Sequence, residues 1–280
     1  MAAQRRVVVA GARGVFGSLL VDELRDGYEV VPATREVLDL ANVAAVHRFA
    51  RGAYAFACAA GPFQTLDRAI VRAVVDAGAH WLDIADDARW FFDLLDDRDL
   101  DALARERGVA VIPGLSSLPA ISGALARRVM PAERLEITLF IGNDNRKGAA
   151  AIASGSALDS PDRELLRREL GVDAVARALF EMPGARLAMS ALRVFPLGAR
   201  IRIAKTLSRI LPRFGSEGGY VEVNGVRVAM TQRTAILPLV YALQHLDGKS
   251  GCLPPSVFDP EALLAFLECE LSSVRAGNIN

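Results

Sequence analysis

Lysine is almost missing from this chain. Of its 33 basic residues only Lys147, Lys205 and Lys249 are lysine, so an arginine cluster carries less meaning here than it would in a lysine-rich protein. Excess charge of either sign is missing too: 33 acidic residues balance the 33 basic ones, which gives no reason to expect nucleic acid or a membrane surface as the main partner. The cysteines, Cys58, Cys252 and Cys269, are odd in number, widely spaced and without a C-x-x-C pair. That excludes a disulfide framework and a zinc pattern, and suits a reducing compartment. His47, His80 and His245 stand far apart and form no recognisable ligand set, so no metal is expected. No run reaches the roughly 18 uninterrupted apolar residues of a membrane span. Arg5 and Arg6 before an apolar run imitate a signal peptide, but Arg13, several glycines and Asp22 interrupt it within a dozen residues. The expected location is the cytoplasm.

What is present is an ordinary globular composition, 52% hydrophobic and 24% charged over 280 residues, a size at which one core begins to split into two. Short apolar runs recur at residues 7–10, 28–33, 54–60, 80–84 and 109–112. Between them lie segments with helical spacing, clearest over Val15–Arg25, Leu66–Ala77 and Leu94–Arg107. Continuous apolar strands alternating with amphipathic helices predict an α/β fold with a doubly wound parallel sheet. After Pro113 the rhythm changes. A helix is predicted over Ala120–Val129, a strand over Leu135–Ile141, then a loop opening into a small-residue helix, and mostly helix from Asp162 to Arg213. Asn224-Gly225 between alternating residues predicts a hairpin with a type I′ turn. Helices over Thr234–Leu246 and Pro260–Val274 close the chain. The expected division is 1–118, 119–233 and 234–280.

The stretch "VVVAGARGVFGSLL" places Gly11, Gly14 and Gly17 between the first strand and the first helix. A G-x-x-G-x-x-G alone serves many turns. Directly after a strand and opening a helix, it suits a dinucleotide: early glycines allow a tight turn and close approach to a pyrophosphate. The last glycine packs helix on strand, and the helix N-terminus offers unpaired N–H groups. Arg13, Val15 and Phe16 share that loop. Which dinucleotide depends on the tip of the second strand, where Thr34 and Arg35 stand with Glu36 next. Arg35, helped by Arg13, argues for NADP; a strand one residue longer would make Glu36 the ribose acid and the cofactor NAD.

Three stretches, "VVVAGARGVFGSLL", "CAAGPFQTLDRAIVRAVVDAGAHWLDIADD" and "ARERGVAVIPGLSSLPAISGALA", resemble the NADP-binding region of saccharopine dehydrogenase-like proteins. The most specific piece is "AAGPFQ", residues 59–64, after the predicted fourth strand. "GAHWLDIADD", residues 78–87, resembles the family's fifth strand ending in an Asp. The likeness continues through "GNDNRKGAA", residues 142–150, and "GCLPPSVFDPEALLAFL", residues 251–267. It implies a Rossmann dinucleotide-binding domain over 1–118 interrupted by a smaller α+β substrate or dimerisation domain over 119–233, with C-terminal helices over 234–280 returning to the first domain, and hydride transfer between NADP(H) and an imine, secondary amine or related double bond. A homodimer is expected.

Ligands of doubly wound sheets lie outside the carboxyl ends of the strands. Ala60, Gly61, Pro62 and Phe63 are therefore candidates to approach the nicotinamide ribose, and Gln64, Ser116 and Ser117 to meet substrate. Asp83 or Asp86 could carry a proton or hold a cationic imine nitrogen, though an Asp at a strand end is also a common helix cap. Arg146 and Lys147 could hold substrate carboxylates, or belong to a solvated loop. No Tyr is followed four residues on by Lys, and neither G-x-S-x-G nor G-x-x-x-x-G-K-[ST] occurs, which counts against short-chain dehydrogenases, α/β-hydrolases and P-loop NTPases. Residues 185–214 carry seven basic side chains and no acid. They could touch a membrane, but a substrate-domain face or subunit contact is the preferred reading. Two functions remain open: an NADP-dependent oxidoreductase acting on a small, carboxylated substrate, or an NADP-binding sensor or membrane-associated scaffold without turnover.

Overall fold

The computed structural model describes residues 4–142, 144, 160–181, 185–192, 194–210, 215, 216 and 218–277. Among the described residues ten strands form two sheets. The first is parallel and six-stranded, built from β1 (Arg6–Ala10), β2 (Glu29–Ala33), β3 (Ala55–Cys58), β4 (His80–Asp83), β5 (Ala110–Ile112) and a two-residue strand, β10 (Gly251–Cys252). Its order is β2-β1-β3-β4-β5-β10. Along β1, Val7 and Val9 face one apolar layer while Val8 and Ala10 face the other, and Ala55 and Ala57 alternate with Phe56 and Cys58 in the same way. Every one of these side chains is at most 1% exposed. Continuous apolar runs are what a strand covered on both faces requires, so the doubly wound reading holds.

Helices α1 (Val15–Leu24), α2 (Val43–Ala50), α3 (Ala69–Asp76), α4 (Ala88–Leu95), α5 (Arg98–Arg107) and α6 (Ser122–Arg128) connect or follow these strands. Leu20 and Leu24 of α1 join the Val7 layer; Val46, Ile70, Leu94 and Leu100 bring α2 to α5 into the Val8 layer. The single helix expected over Leu94–Arg107 is two. Asp97 stops the first and caps the second, its side chain accepting from Leu100 N at 3.0 Å. The strand expected as the fourth, before residues 59–64, is the third: the segment after β2 returns through α2 directly to β3, with no strand between.

The second sheet is mixed, in the order β7-β6-β8-β9, with β6 at Arg134–Ile141, β7 at Asp173–Phe180, β8 at Gly219–Val223 and β9 at Val226–Met230. β6 and β7 are parallel across the helix Asp162–Leu170, and β8 and β9 are antiparallel. Asn224 (φ 47°) and Gly225 (φ 86°) form the expected hairpin turn. Within 162–213 the helices Asp162–Leu170, Ala185–Leu192 and Leu197–Ile210 follow the expected mostly helical pattern, and β7 is the strand that reading missed. Leu135, Ile137, Ala174, Val221, Val223, Val228 and Met230 join the same contiguous apolar layer as Val7 and Val9, with α6 packed against β8. Leu239, Leu243 and Leu264 from the C-terminal helices Leu237–Gln244 and Pro260–Gly277 enter that layer as well.

Candidate functional site

Four strands of the first sheet end level with one another: Ala10 pairs with Ala33 and with Cys58, and Cys58 pairs with Asp83. The residues immediately beyond them, at Gly11, Thr34, Ala59 and Ile84, therefore line one edge, around the point between β1 and β3 where the strand order reverses. A ligand crevice is expected at this edge of a parallel sheet.

The glycine turn is packed tightly into that edge. Gly11 has φ +77°, and a Cβ there would lie 2.9 Å from the backbone of Ala59 and Ala60. Gly11 N donates to Ala33 O at 3.1 Å, and Gly14 N to Gly11 O at 2.7 Å. A Cβ on Gly17 would come within 2.0 Å of Gly11 O, so α1 can seat against the turn only with glycine there. Gly14, exposed, is the N-cap of α1 and supplies no side-chain acceptor to its first N–H groups. An uncapped helix N-terminus over a glycine turn has the form and partial charge that suit a pyrophosphate. Val15 and Phe16 open that helix and are half-buried.

β2 ends at Ala33, so Thr34 and Arg35 are the first two residues beyond it, as the sequence reading has them. Arg35 is exposed. Glu36 reaches across to the glycine loop, where Arg13 Nη1 meets its Oε2 at 3.0 Å with both side chains largely in solvent.

Beyond β3, Ala60, Gly61 and Pro62 are partly or fully open to solvent, while Phe63 is buried at 8% exposure. Phe63 packs on Trp90 of α4 with ring centroids 5.6 Å apart. Gln64 Nε2 donates to Asp87 Oδ2 at 2.8 Å, and the same Asp87 caps α4 by accepting from Trp90 N at 2.8 Å. Two side-chain contacts thus tie the 61–64 loop to the start of α4.

The two carboxylates singled out in the sequence occupy different environments. Asp83 is 0% exposed and accepts four hydrogen bonds: Oδ2 from Trp81 Nε1 at 2.8 Å and from Trp90 Nε1 at 2.9 Å, Oδ1 from Ala85 N and Gly114 N at 3.0 Å each. Burial raises its pKa and the four donors act against that rise. With no exposed oxygen and every donor engaged, Asp83 joins the ends of β4 and β5 to α4. Gly114 is required beside it, since at φ +76° a Cβ would lie 2.7 Å from Pro119 and 2.9 Å from Phe91. Asp86 is exposed to solvent, yet the protein packed around it raises its pKa above the ordinary carboxylate value, and the neighbouring Asp87 adds to the rise. A solvent-reachable acid with a raised pKa can exchange a proton.

Ser116 is buried, and its hydroxyl donates to Leu118 O at 3.0 Å within the turn that leads to α6; Ser117 beside it is half-buried. Arg146 and Lys147 lie outside the described residues. Cys58 is fully buried, which pushes its thiol up to about 12, as its core position on β3 implies. The histidines make separate local contacts: His47 with Asp76, His80 Nδ1 with Ala110 N, His245 with Tyr241 O. Sequence reasoning missed Trp81, Trp90 and Asp87. "DDARW", an acid three residues before an aromatic at a helix start, was the available signal for Asp87 as a cap.

These features define a Rossmann-like α/β protein with a second mixed sheet. Solved structures share that architecture. The DAP dehydrogenase of C. glutamicum in complex with DAP matches with a TM-score of 0.53 at 13% identity, over 93% of this chain and 96% of that one. An engineered D-amino acid dehydrogenase bound to NADP+ matches at 0.51 and 14%, over 93% and 96%. The amine dehydrogenase of Mycobacterium smegmatis matches at 0.53 and 10%, over 89% and 94%. No protein-family model and no curated protein sequence matches the chain.

Proposed function

We propose that this protein is an NADP(H)-dependent oxidoreductase of the saccharopine dehydrogenase-like type, acting on the carbon–nitrogen bond of a small, carboxylated amine or imine. The observation that carries this reading is the glycine turn. Gly11 is pressed against the backbone of Ala59 and Ala60, below an α1 that starts without a side-chain cap, at the level edge of four parallel strands. The names of the three similar structures agree with it, since all are dehydrogenases of amines or amino acids and one holds NADP+.

In this reading Gly11, Gly14 and Gly17 admit the pyrophosphate, and Arg35 with Arg13 meets a 2′-phosphate, Arg13 leaving Glu36 to do so. The bound nucleotide supplies or accepts the hydride. The Gly61–Phe63 loop walls one side of the reacting centre and is held there by Trp90 and Asp87. Asp86 moves the proton to or from the substrate nitrogen through its carboxyl. Asp83 is a positioning residue: it orients Trp90, and through it Phe63, without exchanging a proton itself.

Both tryptophans of the chain donate to Asp83, so their emission reports on this site directly. Titration with NADPH is expected to quench it, with weaker quenching by NADH, and Arg35→Glu should weaken NADPH about tenfold. Tighter binding of NADH overturns the Arg35 assignment. With NADPH bound, a panel of 2-oxo acids with ammonia or amino acids should show cofactor oxidation. Asp86→Asn should lower kcat about a hundredfold while the quenching is unchanged. Binding without turnover across a broad panel would favour a sensor without catalysis.

A further inference from the structure

The glycine turn and the tip of β2 are held side by side. Gly11 N and Ala12 N both donate to Ala33 O, at 3.1 and 3.4 Å, so the loop that carries Arg13 is fastened to the last residue of β2. Beyond that residue the chain closes a tight turn, in which Val37 N and Leu38 N donate to Thr34 O at 3.0 and 2.8 Å and Leu38 is buried. Arg35 and Glu36, inside the turn, are left in solvent. Arg13, Arg35 and Glu36 thus share one corner of the ligand edge, and Glu36 is already engaged there. Its Oε2 lies 3.0 Å from Arg13 Nη1. Thr34 above all, with Arg13 and Arg35 adding to the effect, holds the Glu36 carboxyl below its ordinary range, so it is ionised at neutral pH.

Given the cofactor reading above, on which this rests, we propose that Glu36 is a specificity-determining residue that works against NADP. It competes with the 2′-phosphate for Arg13, and its own charge repels that phosphate. A phosphate monoester brings a charge of about −1.5 to −2, which Arg13 and Arg35 together balance. Glu36 cancels one of them. The 2′-hydroxyl of NAD makes the opposite demand, since it is a donor that a carboxylate accepts. Glu36 meets it without releasing Arg13, because its two oxygens accept more than one hydrogen bond. An exposed ion pair is weak, so Glu36 limits NADP binding without preventing it. The site therefore takes NADPH with a moderate preference and accepts NADH as well.

The test is the affinity of the full chain for NADPH and for NADH, read from tryptophan quenching, in the parent, Glu36→Gln, Arg13→Ala and the double variant. Glu36→Gln should tighten NADPH about tenfold and weaken NADH about threefold. Arg13→Ala should weaken NADPH about fivefold and move NADH by less than about twofold. With Arg13 already removed, the gain in NADPH affinity from Glu36→Gln should shrink to about threefold, because only the repulsion between Glu36 and the phosphate is left to relieve. Both side chains are largely in solvent, and an unchanged Tm shows that each variant is folded. An unchanged ratio of NADPH to NADH affinity in Glu36→Gln, or an equal gain with and without Arg13, overturns the inference and leaves the cofactor reading intact. Absence of binding by either nucleotide overturns both.

Discussion

The two sheets share an apolar layer but bury their strands differently. In β3 of the parallel sheet, Ala55, Phe56, Ala57 and Cys58 are all 0% exposed. In β7 of the mixed sheet, Ala174 is 0% exposed and its neighbour Val175 40%, with Arg177 and Leu179 also on the outer face. A strand covered on both sides is buried throughout and admits a polar residue only with its hydrogen bonds made, as at His80 and Asp83 of β4, and a strand with one open face alternates. The consequence reaches function. The fully covered sheet supplies a level edge where Gly11 packs on Ala59 and Ala60 and Gly114 N donates to Asp83, while the half-covered sheet leaves surface free for other contacts.

The most direct way to break this comparison is to place an acid at successive positions of each strand. Phe56→Glu and Ala57→Glu should each destabilise the protein by about 5 kcal/mol or more, since an unpaired charge enters a dry core from either side. Ala174→Glu should do the same, but Val175→Glu should cost about 1 kcal/mol or less. Urea unfolding of the four variants measures this, and equal losses at 174 and 175 would show that β7 is covered on both faces. Asp83→Leu comes next. It strands two indole and two backbone N–H groups at the end of the parallel sheet, at a cost of about 4 kcal/mol. A blue-shifted tryptophan emission should accompany it, and Asp83→Asn should restore part of both.

Gly17→Ala sets a methyl 2.0 Å from Gly11 O and should cost about 3 kcal/mol, as overpacking does, with NADPH affinity falling alongside. The pH dependence is next in size. His80 is buried and its Nδ1 accepts from Ala110 N at 2.9 Å, and burial depresses its pKa from 6.5 to about 4. Its contribution is complete above pH 6.5 and lost as pH falls towards 4, because the unfolded chain takes the proton first. That amounts to about 3 kcal/mol, and His80→Asn should flatten the stability profile across that interval.

Most of the parallel sheet was legible because its strands are uninterrupted apolar runs separated by helices of clear period. β7 was not. Its inward residues are Ala174, Ala176 and Ala178, which favour helix intrinsically, so the alternation is too weak to announce a strand even though Gly171 (φ 71°) ends the charged helix Asp162–Leu170. β10 was hidden for another reason: two residues have no period, and only pairing with Ala110 and Val111 makes Gly251–Cys252 a strand. At the candidate site the glycines, Arg35 and the 61–64 loop were visible as motifs. The separation of Asp83 from Asp86 was not, because both are acids near the end of one strand.

By itself the sequence determined the doubly wound sheet, the glycine turn and the Asn224-Gly225 hairpin, since each rests on local periodicity or on a backbone conformation that few residues adopt. Only the tertiary structure decided which acid is buried under two indoles and which faces solvent. It alone also joined Phe63 to Trp90 and set Glu36 against Arg13. Those outcomes depend on groups brought together from distant parts of the chain, and no local pattern encodes what a side chain will meet there.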